Sequence, residues 1–212
     1  MAQPTSTSEA TEVIPAFSDG LCLDFANTRY WRGTATPTET FGGLDDVLAW
    51  CRSTGLVSAP SAERAGAWWG QRPDRAAAAF EEAIALREAL YGVFRASADG
   101  KEPPPQALLA LNAALARTPS RLGVERREGG FAWRVPQSDE PAVARLLAPV
   151  VWSGTGLLLG SRLSRVRHCA NEQCVWLFLD DSKSGTRRWC SMSACGNRAK
   201  AHRHYARMKK KR

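Results

Sequence analysis

The sequence lacks any apolar run long enough to cross a bilayer. Its longest uncharged stretch, 146–161, covers 16 residues and is interrupted by Pro149, Gly154, Gly156 and Gly160. A spanning helix needs about 20, so this stretch predicts a buried core helix with a break. The opening MAQPTSTSEATE has no basic region followed by an apolar one, which argues against a secretory leader and for a cytoplasmic protein. Histidine is scarce, with three in the chain and no His-x-x-x-His pair; a nucleophile elbow and a phosphate-cradling glycine loop are also missing. Without a paired acid/base or nucleophile constellation, no enzyme is expected. No internal repeat is found in the first 160 residues. The last deficit is local: residues 161–212 contain only three acids, Glu172, Asp180 and Asp181.

Those same residues hold fourteen of the 29 Lys and Arg, which leaves the rest of the chain slightly acidic although the whole carries +8. Charge gathered at one end points to a densely anionic partner. Nucleic acid fits better than a membrane, because no broad aromatic face accompanies the basic stretch. Hydrophobic residues at 44%, with eight Trp and seven Phe, supply a packed interior and exclude global disorder. At 212 residues the chain accommodates one ordinary domain and a small appended one.

Residues 1–15, polar and without apolar periodicity, predict a disordered lead-in, followed by a helical domain over 16–163 and a metal finger over 164–212. In the first domain LCLDFANT, at 21–28, is too short for periodicity to decide between strand and helix. Leu44, Val47, Leu48 and Cys51 keep helical spacing up to Gly55, which sits at a left-handed cap position. Further helices are predicted over 73–98, before the Pro103-Pro104-Pro105 stop, and over 106–117. Leu122, Val124 and Arg126, then Glu128-Gly129-Gly130, then Phe131, Trp133 and Val135 predict a β-hairpin with one apolar face. An apolar helix opening near Ser138–Pro141 and continuing toward Leu163 completes the domain. The fold class is therefore mainly α, with one small hairpin and a C-terminal treble-clef-like finger made of a hairpin and a basic helix.

Cys169 and Cys174 are separated by four residues, Cys190 and Cys195 again by four, and fifteen lie between the pairs. Two such pairs suit one tetrahedral zinc bound at about 2.3 Å per sulfur. About 45 residues with few aliphatic groups need a staple, and a structural zinc contributes on the order of 10–16 kcal/mol in small fingers. Two disulfides are the competing staple, disfavoured in a reducing compartment. A site of four sulfurs leaves no open position for a catalytic water. Val175–Leu179 reads as one strand, Asp180–Thr186 as its turn and Arg187–Trp189 as the returning strand. Beyond Cys195 a proline-free stretch places Lys200, Arg203, Arg207 and Lys210 on one helical face with Arg198 on its flank. A solvated surface is the usual explanation of such a run; its position against a metal finger favours nucleic acid.

The string Cys195-Gly196-Asn197-Arg198, with the three earlier cysteines and LFLDDSKSGTRRWC, resembles the CGNR zinc finger family, and LDFANT resembles the signature of the ABATE domain that precedes this finger. The resemblance spans nearly the whole chain. It implies a bacterial, stress-related transcription regulator: a mainly helical domain of unknown ligand, and a DNA-binding finger with Cys169, Cys174, Cys190 and Cys195 as ligands of one structural zinc and Gly196, Asn197 and Arg198 continuing the motif. Gly196 lets backbone pass close to the metal cluster or a phosphate. Asn197 serves either the knuckle or a base edge. Arg198 either donates to phosphate or packs on the hairpin through Asp180 or Asp181. His168, His202 and His204 are expected to support the site or face phosphate rather than ligate. Cys22 and Cys51 are expected to be core thiols. Asp24 and Asn27 are candidate ligand-binding residues, with a cap or turn as the alternative.

The leading function is a DNA-binding transcription regulator whose first domain senses a small ligand or mediates homodimerisation. An RNA- or ribosome-associated module is the alternative, weakened by the few aromatics (Trp176, Phe178, Trp189, Tyr205) available for base stacking. An enzyme with the finger as an address tag comes third, and a deep polar pocket beside Asp24 and Asn27 would revive it.

Overall fold

The computed structural model describes residues 10–201 and 208. Order begins earlier than the sequence suggests. Thr11–Pro15 form β1, pairing antiparallel with a later strand, so the predicted lead-in fails over these five residues. A run this short and polar shows no periodicity of its own; Ile14 is buried only because Val135 and Ala148 meet it.

LCLDFA resolves as a helix, α1 (Leu21–Ala26), with every residue but Asp24 buried. Two short strands, β2 (Arg29–Tyr30) and β3 (Thr38–Glu39), pair with each other. Helix α2 (Leu44–Ser53) buries Leu44, Val47, Leu48 and Cys51, the four residues whose spacing predicts it, and Gly55 takes the left-handed φ of 76°. Helix α3 (Ala59–Gly70) is unforeseen, although its signals are present: the Ser58 hydroxyl accepts from the Ser61 amide at 3.3 Å, and Pro60 stands in the first turn. Only Ala62 and Trp69 are buried on it, too sparse a stripe to announce a helix.

Helix α4 (Pro73–Ala98) runs through the centre, burying Ala79, Ala83, Leu86, Leu90, Val93 and Phe94, and α5 (Pro105–Arg117) packs along it. The hairpin follows as β4 (Gly123–Arg127) and β5 (Gly130–Pro136), and β5 is sandwiched in the order β1-β5-β4. Its apolar face is only partly covered: Val135 is buried, whereas Val124 and Phe131 stay exposed near the turn. The last helix of the domain is broken. It becomes α6 (Val143–Leu146) and α7 (Ala148–Leu159), because Pro149 lacks the amide that would continue the ladder; a 3-10 turn spans Ser161–Arg165.

The finger starts as β6 (Val166–His168), which pairs with β7 (Leu177–Leu179). The predicted pairing of 175–179 with Arg187–Trp189 is thus corrected. The returning strand precedes the first cysteine pair, and 187–189 contributes one bond, Ala170 N to Arg188 O at 2.8 Å. Asp180 decides this. Its carboxylate accepts from the Ser182 amide at 3.0 Å, the Ser182 hydroxyl at 2.5 Å and the Arg187 amide at 2.9 Å, which rounds 180–187 into a loop instead of a hairpin turn. The Ser182 hydrogen bond, chiefly, holds Asp180 below its ordinary pKa.

The two parts share a core. Val166 and Leu177 of the finger belong to the same buried cluster as Leu23, Phe25, Leu86, Leu90 and Val151 of the first domain.

Candidate zinc centre and nucleic-acid interface

Cys169 follows β6 and Cys174 closes a tight knuckle. The Cys169 amide donates to Trp176 O at 2.7 Å, the Cys174 amide to Asn171 O at 2.8 Å, and Val175 takes a left-handed φ of 47° to leave the turn. Of the second pair, Cys190 precedes and Cys195 lies on a π-helical turn, Met192–Gly196, opened by Ser191, whose hydroxyl accepts from the Ala194 amide at 3.3 Å. The four sulfurs converge to within 4.8 Å of one another. Cys174 and Cys190 are 3.7 Å apart and Cys190 and Cys195 3.8 Å. A tetrahedron of bonds about 2.3 Å long has edges of about 3.8 Å, whereas a disulfide would need about 2.05 Å. Hydrogen bonds from Cys174 and then Cys190 hold the Cys169 thiol far below its ordinary pKa, and their bonds to Cys169, first of all, push those two up. A metal replaces those protons. Asn171 supports the cluster by donating from Nδ2 to Cys195 Sγ at 3.6 Å while its Oδ1 accepts from the Gln173 amide.

Of the motif's continuation, Gly196 is packed tightly, since a Cβ there would lie 3.3 Å from Trp189 and closer still to the Met192 thioether. Asn197 donates to Ser193 O at 3.2 Å and serves the knuckle. For Arg198 the packing on the hairpin through Asp180 or Asp181 is corrected: Asp180 is committed to its loop, Asp181 pairs with Arg162, and the Arg198 guanidinium lies 4.6 Å from the Trp31 ring of the first domain. Lys200 is exposed; Arg203, Arg207 and Lys210, with His202 and His204, lie outside the described residues. His168 does not ligate. Its Nε2 meets Asp99 Oδ1 at 3.1 Å, and its Nδ1 is 3.2 Å from Cys169 O.

Asn27 lines the same groove as Asp24, and its buried amide has a structural task, donating to Leu177 O at 2.8 Å and accepting from Leu177 N at 2.9 Å, so it clasps α1 to β7. Tyr91 donates to Val175 O at 3.1 Å, and the Gly33 amide donates to Gln173 O at 3.1 Å, with the two backbones so close that a Cβ on Gly33 would fall 1.7 Å from Glu172 O. Sequence reasoning missed this loop, for which Gly33 is the only cue. Arg32 anchors it through Glu88 at 2.6 and 3.0 Å, Ala26 O and the face of Tyr91.

Asp24 stays open, its pKa raised by burial, and lines a groove of about 530 Å³ between the two parts together with Tyr30, Asp46, Trp50, Trp176 and Arg187. Neither Ser, His nor Lys lines that groove, and its one cysteine is Cys190. Cys22 and Cys51 are core thiols, both pushed up to about 12 by burial.

The comparisons agree with this division. The ABATE family, described as "Putative stress-induced transcription regulator", matches residues 19–161, and the CGNR zinc finger matches 165–208. No curated protein matches the chain. With most of its length matched and its four thiolates placed to hold one structural zinc, this chain belongs to the ABATE family and carries a CGNR zinc finger.

Proposed function

We propose that the protein is a DNA-binding transcription regulator, active in a bacterial stress response, which docks its finger on duplex DNA and senses a small ligand through its first domain. The observation that carries this is the exposure of Arg188, Arg198 and Lys200 beside the zinc cluster, at the head of a stretch that continues with Arg203, Arg207 and Lys210. Cations on a rigid, metal-braced surface grip phosphates by charge and displace counterions. The groove holding Asp24 supports the sensing role, since an occupant would touch α1, α2 and β7 together. No helix among the described residues is long and apolar enough to cross a membrane, and action in the cytoplasm is part of the same proposal.

A gel-shift salt series tests it. Affinity for duplex should fall linearly on logarithmic axes, by about 0.9 per phosphate contacted. Absence of binding to any duplex at low salt, or clear preference for structured RNA in competition, would overturn the DNA assignment.

A further inference from the structure

Six arginines from Arg162 onward lie among the described residues, Arg162 just before the finger and five within it, and they fall into two groups. Arg162 pairs with Asp19 and Asp181; Arg165 donates to Asp180 O and Ser182 O, Arg167 to Ser164 O and Val166 O, and Arg187 to Trp189 O and Cys190 O. These four brace the finger itself. The side chains of Arg188 and Arg198 have no hydrogen-bond or ion-pair partner among the described residues. Each is instead stacked on a tryptophan, Arg188 at 5.3 Å from the Trp189 ring centre and Arg198 at 4.6 Å from that of Trp31.

Both tryptophans pack against the cysteine cluster, so the zinc site fixes the platforms on which the two guanidiniums rest. Both arginines line one groove of about 640 Å³, with Asn171 and Gln173 on its wall and Glu172 as its single acid. A guanidinium lying on an indole keeps its N–H edge free and its plane fixed, which suits a bidentate contact to a phosphate. Lys183 and Lys200, exposed as well, have no such platform among the described residues.

Trp31 comes from the other domain. Its backbone is held at a φ of 54°, a conformation unusual for a bulky residue, immediately before Arg32, whose side chain is 7% exposed and paired to Glu88, and Gly33, pressed against the first knuckle.

We infer that Arg188 and Arg198 form a two-arginine clamp for a backbone phosphate of nucleic acid, and that the first domain completes it by supplying Trp31 as a positioning residue. This rests on the nucleic-acid-binding assignment made above. It adds a residue, Arg188, and a contribution of the first domain that the basic helix alone would not require.

The test uses the full-length, zinc-loaded chain and a labelled mixed-sequence duplex, with binding followed by fluorescence anisotropy across a salt series. Arg188→Gln and Arg198→Gln should each weaken binding roughly three- to ten-fold and lower the salt slope by about 0.9. Arg198→Lys should recover little of this, because an ammonium cannot lie flat and fork. Trp31→Leu should weaken binding as Arg198→Gln does, and the double variant no further, whereas Trp31→Tyr should keep most of the affinity. Zinc content and far-ultraviolet circular dichroism separate these effects from misfolding; should Trp31→Leu lose its zinc, Trp31→Tyr and the arginine variants decide.

A wild-type protein that binds duplex while the arginine variants bind equally well would overturn the clamp and leave DNA binding to other cations. A second probe separates the two assignments. The Nε–H resonances of Arg188 and Arg198 are followed during titration with inorganic pyrophosphate. A shift, lost for Arg198 in Trp31→Leu, supports the clamp even if no duplex binds; absence of any shift together with absence of duplex binding overturns both.

Discussion

Arg87 lies in the middle of α4 with 1% of its side chain exposed, and its guanidinium forks onto both carboxylate oxygens of Glu39 at 2.5 Å while also touching Glu88 at 3.0 Å. Burial alone would raise the Glu39 pKa, yet the hydrogen bonds and charge of Arg87 outweigh it and hold the carboxyl down to about 2. A carboxyl lowered by folding contributes stability that is complete above its unfolded pKa and lost as pH falls through the folded one. The wild type should therefore lose stability from near pH 4.5 down to about 2. Glu39→Gln should flatten that part of the curve. It should also cost about 1–2 kcal/mol at neutral pH, below the ~3–5 of a fully buried pair because the Glu39 carboxylate is half-exposed and partly screened. Urea titrations of both proteins across this range check the sign. An unchanged acid limb would show that the pair contributes nothing to it. Neither Glu39 nor Arg87 stands out in the sequence, because their pairing spans 48 residues.

Among the elements, α1 and β7 show how the first domain holds the finger. Asn27 follows the last turn of α1 and substitutes for a neighbouring strand, meeting both the amide and the carbonyl of Leu177. Without it, two buried main-chain groups lose their partners, each at about 1–3 kcal/mol. Asn27→Ala should cost about 2–4 kcal/mol in total and hasten amide exchange at Leu177 in the zinc-loaded protein. Asn27→Asp should retain only the bond from the Leu177 amide, since a carboxylate cannot donate to its carbonyl. Exchange at Leu177 unchanged in Asn27→Ala would rule out the clasp. Elements with strong periodicity or sharp stops were legible beforehand: α2, α4 over Pro73–Ala98, α5 to within one residue, and the β4–β5 hairpin. Helix α3 and strand β1 were not, the first because it buries only two residues and the second because its order comes from β5.

For the molecule as a whole, the shared core makes the finger more than an appendage. Val166 and Leu177 are buried among residues of α1, α4 and α7, and burying each such side chain stabilises by about 1.5–3 kcal/mol. Zinc removal by a chelator should unfold the finger, leave most of the helical signal, and lower the thermal midpoint of the remainder by roughly 5–15 °C, taking about 2–4 °C per kcal/mol for a chain of this size. Cys190→Ser should reproduce this, with the bound zinc falling from one per chain. A first-domain midpoint unmoved by chelation would mean that the finger folds independently. One wall of the Asp24 groove is β7 itself.

What the amino-acid sequence determined by itself was local or covalently spaced: the two cysteine pairs and hence the metal, the gathering of positive charge, the long helix ending at its prolines, and the motifs that mark the family. These depend on residues close in the chain, where spacing is itself geometry. Tertiary structure alone decided that Asn27 clasps the finger and that Trp31 lies under Arg198. Both depend on groups brought together by packing across most of the chain, so neither partner carries a mark that names the other.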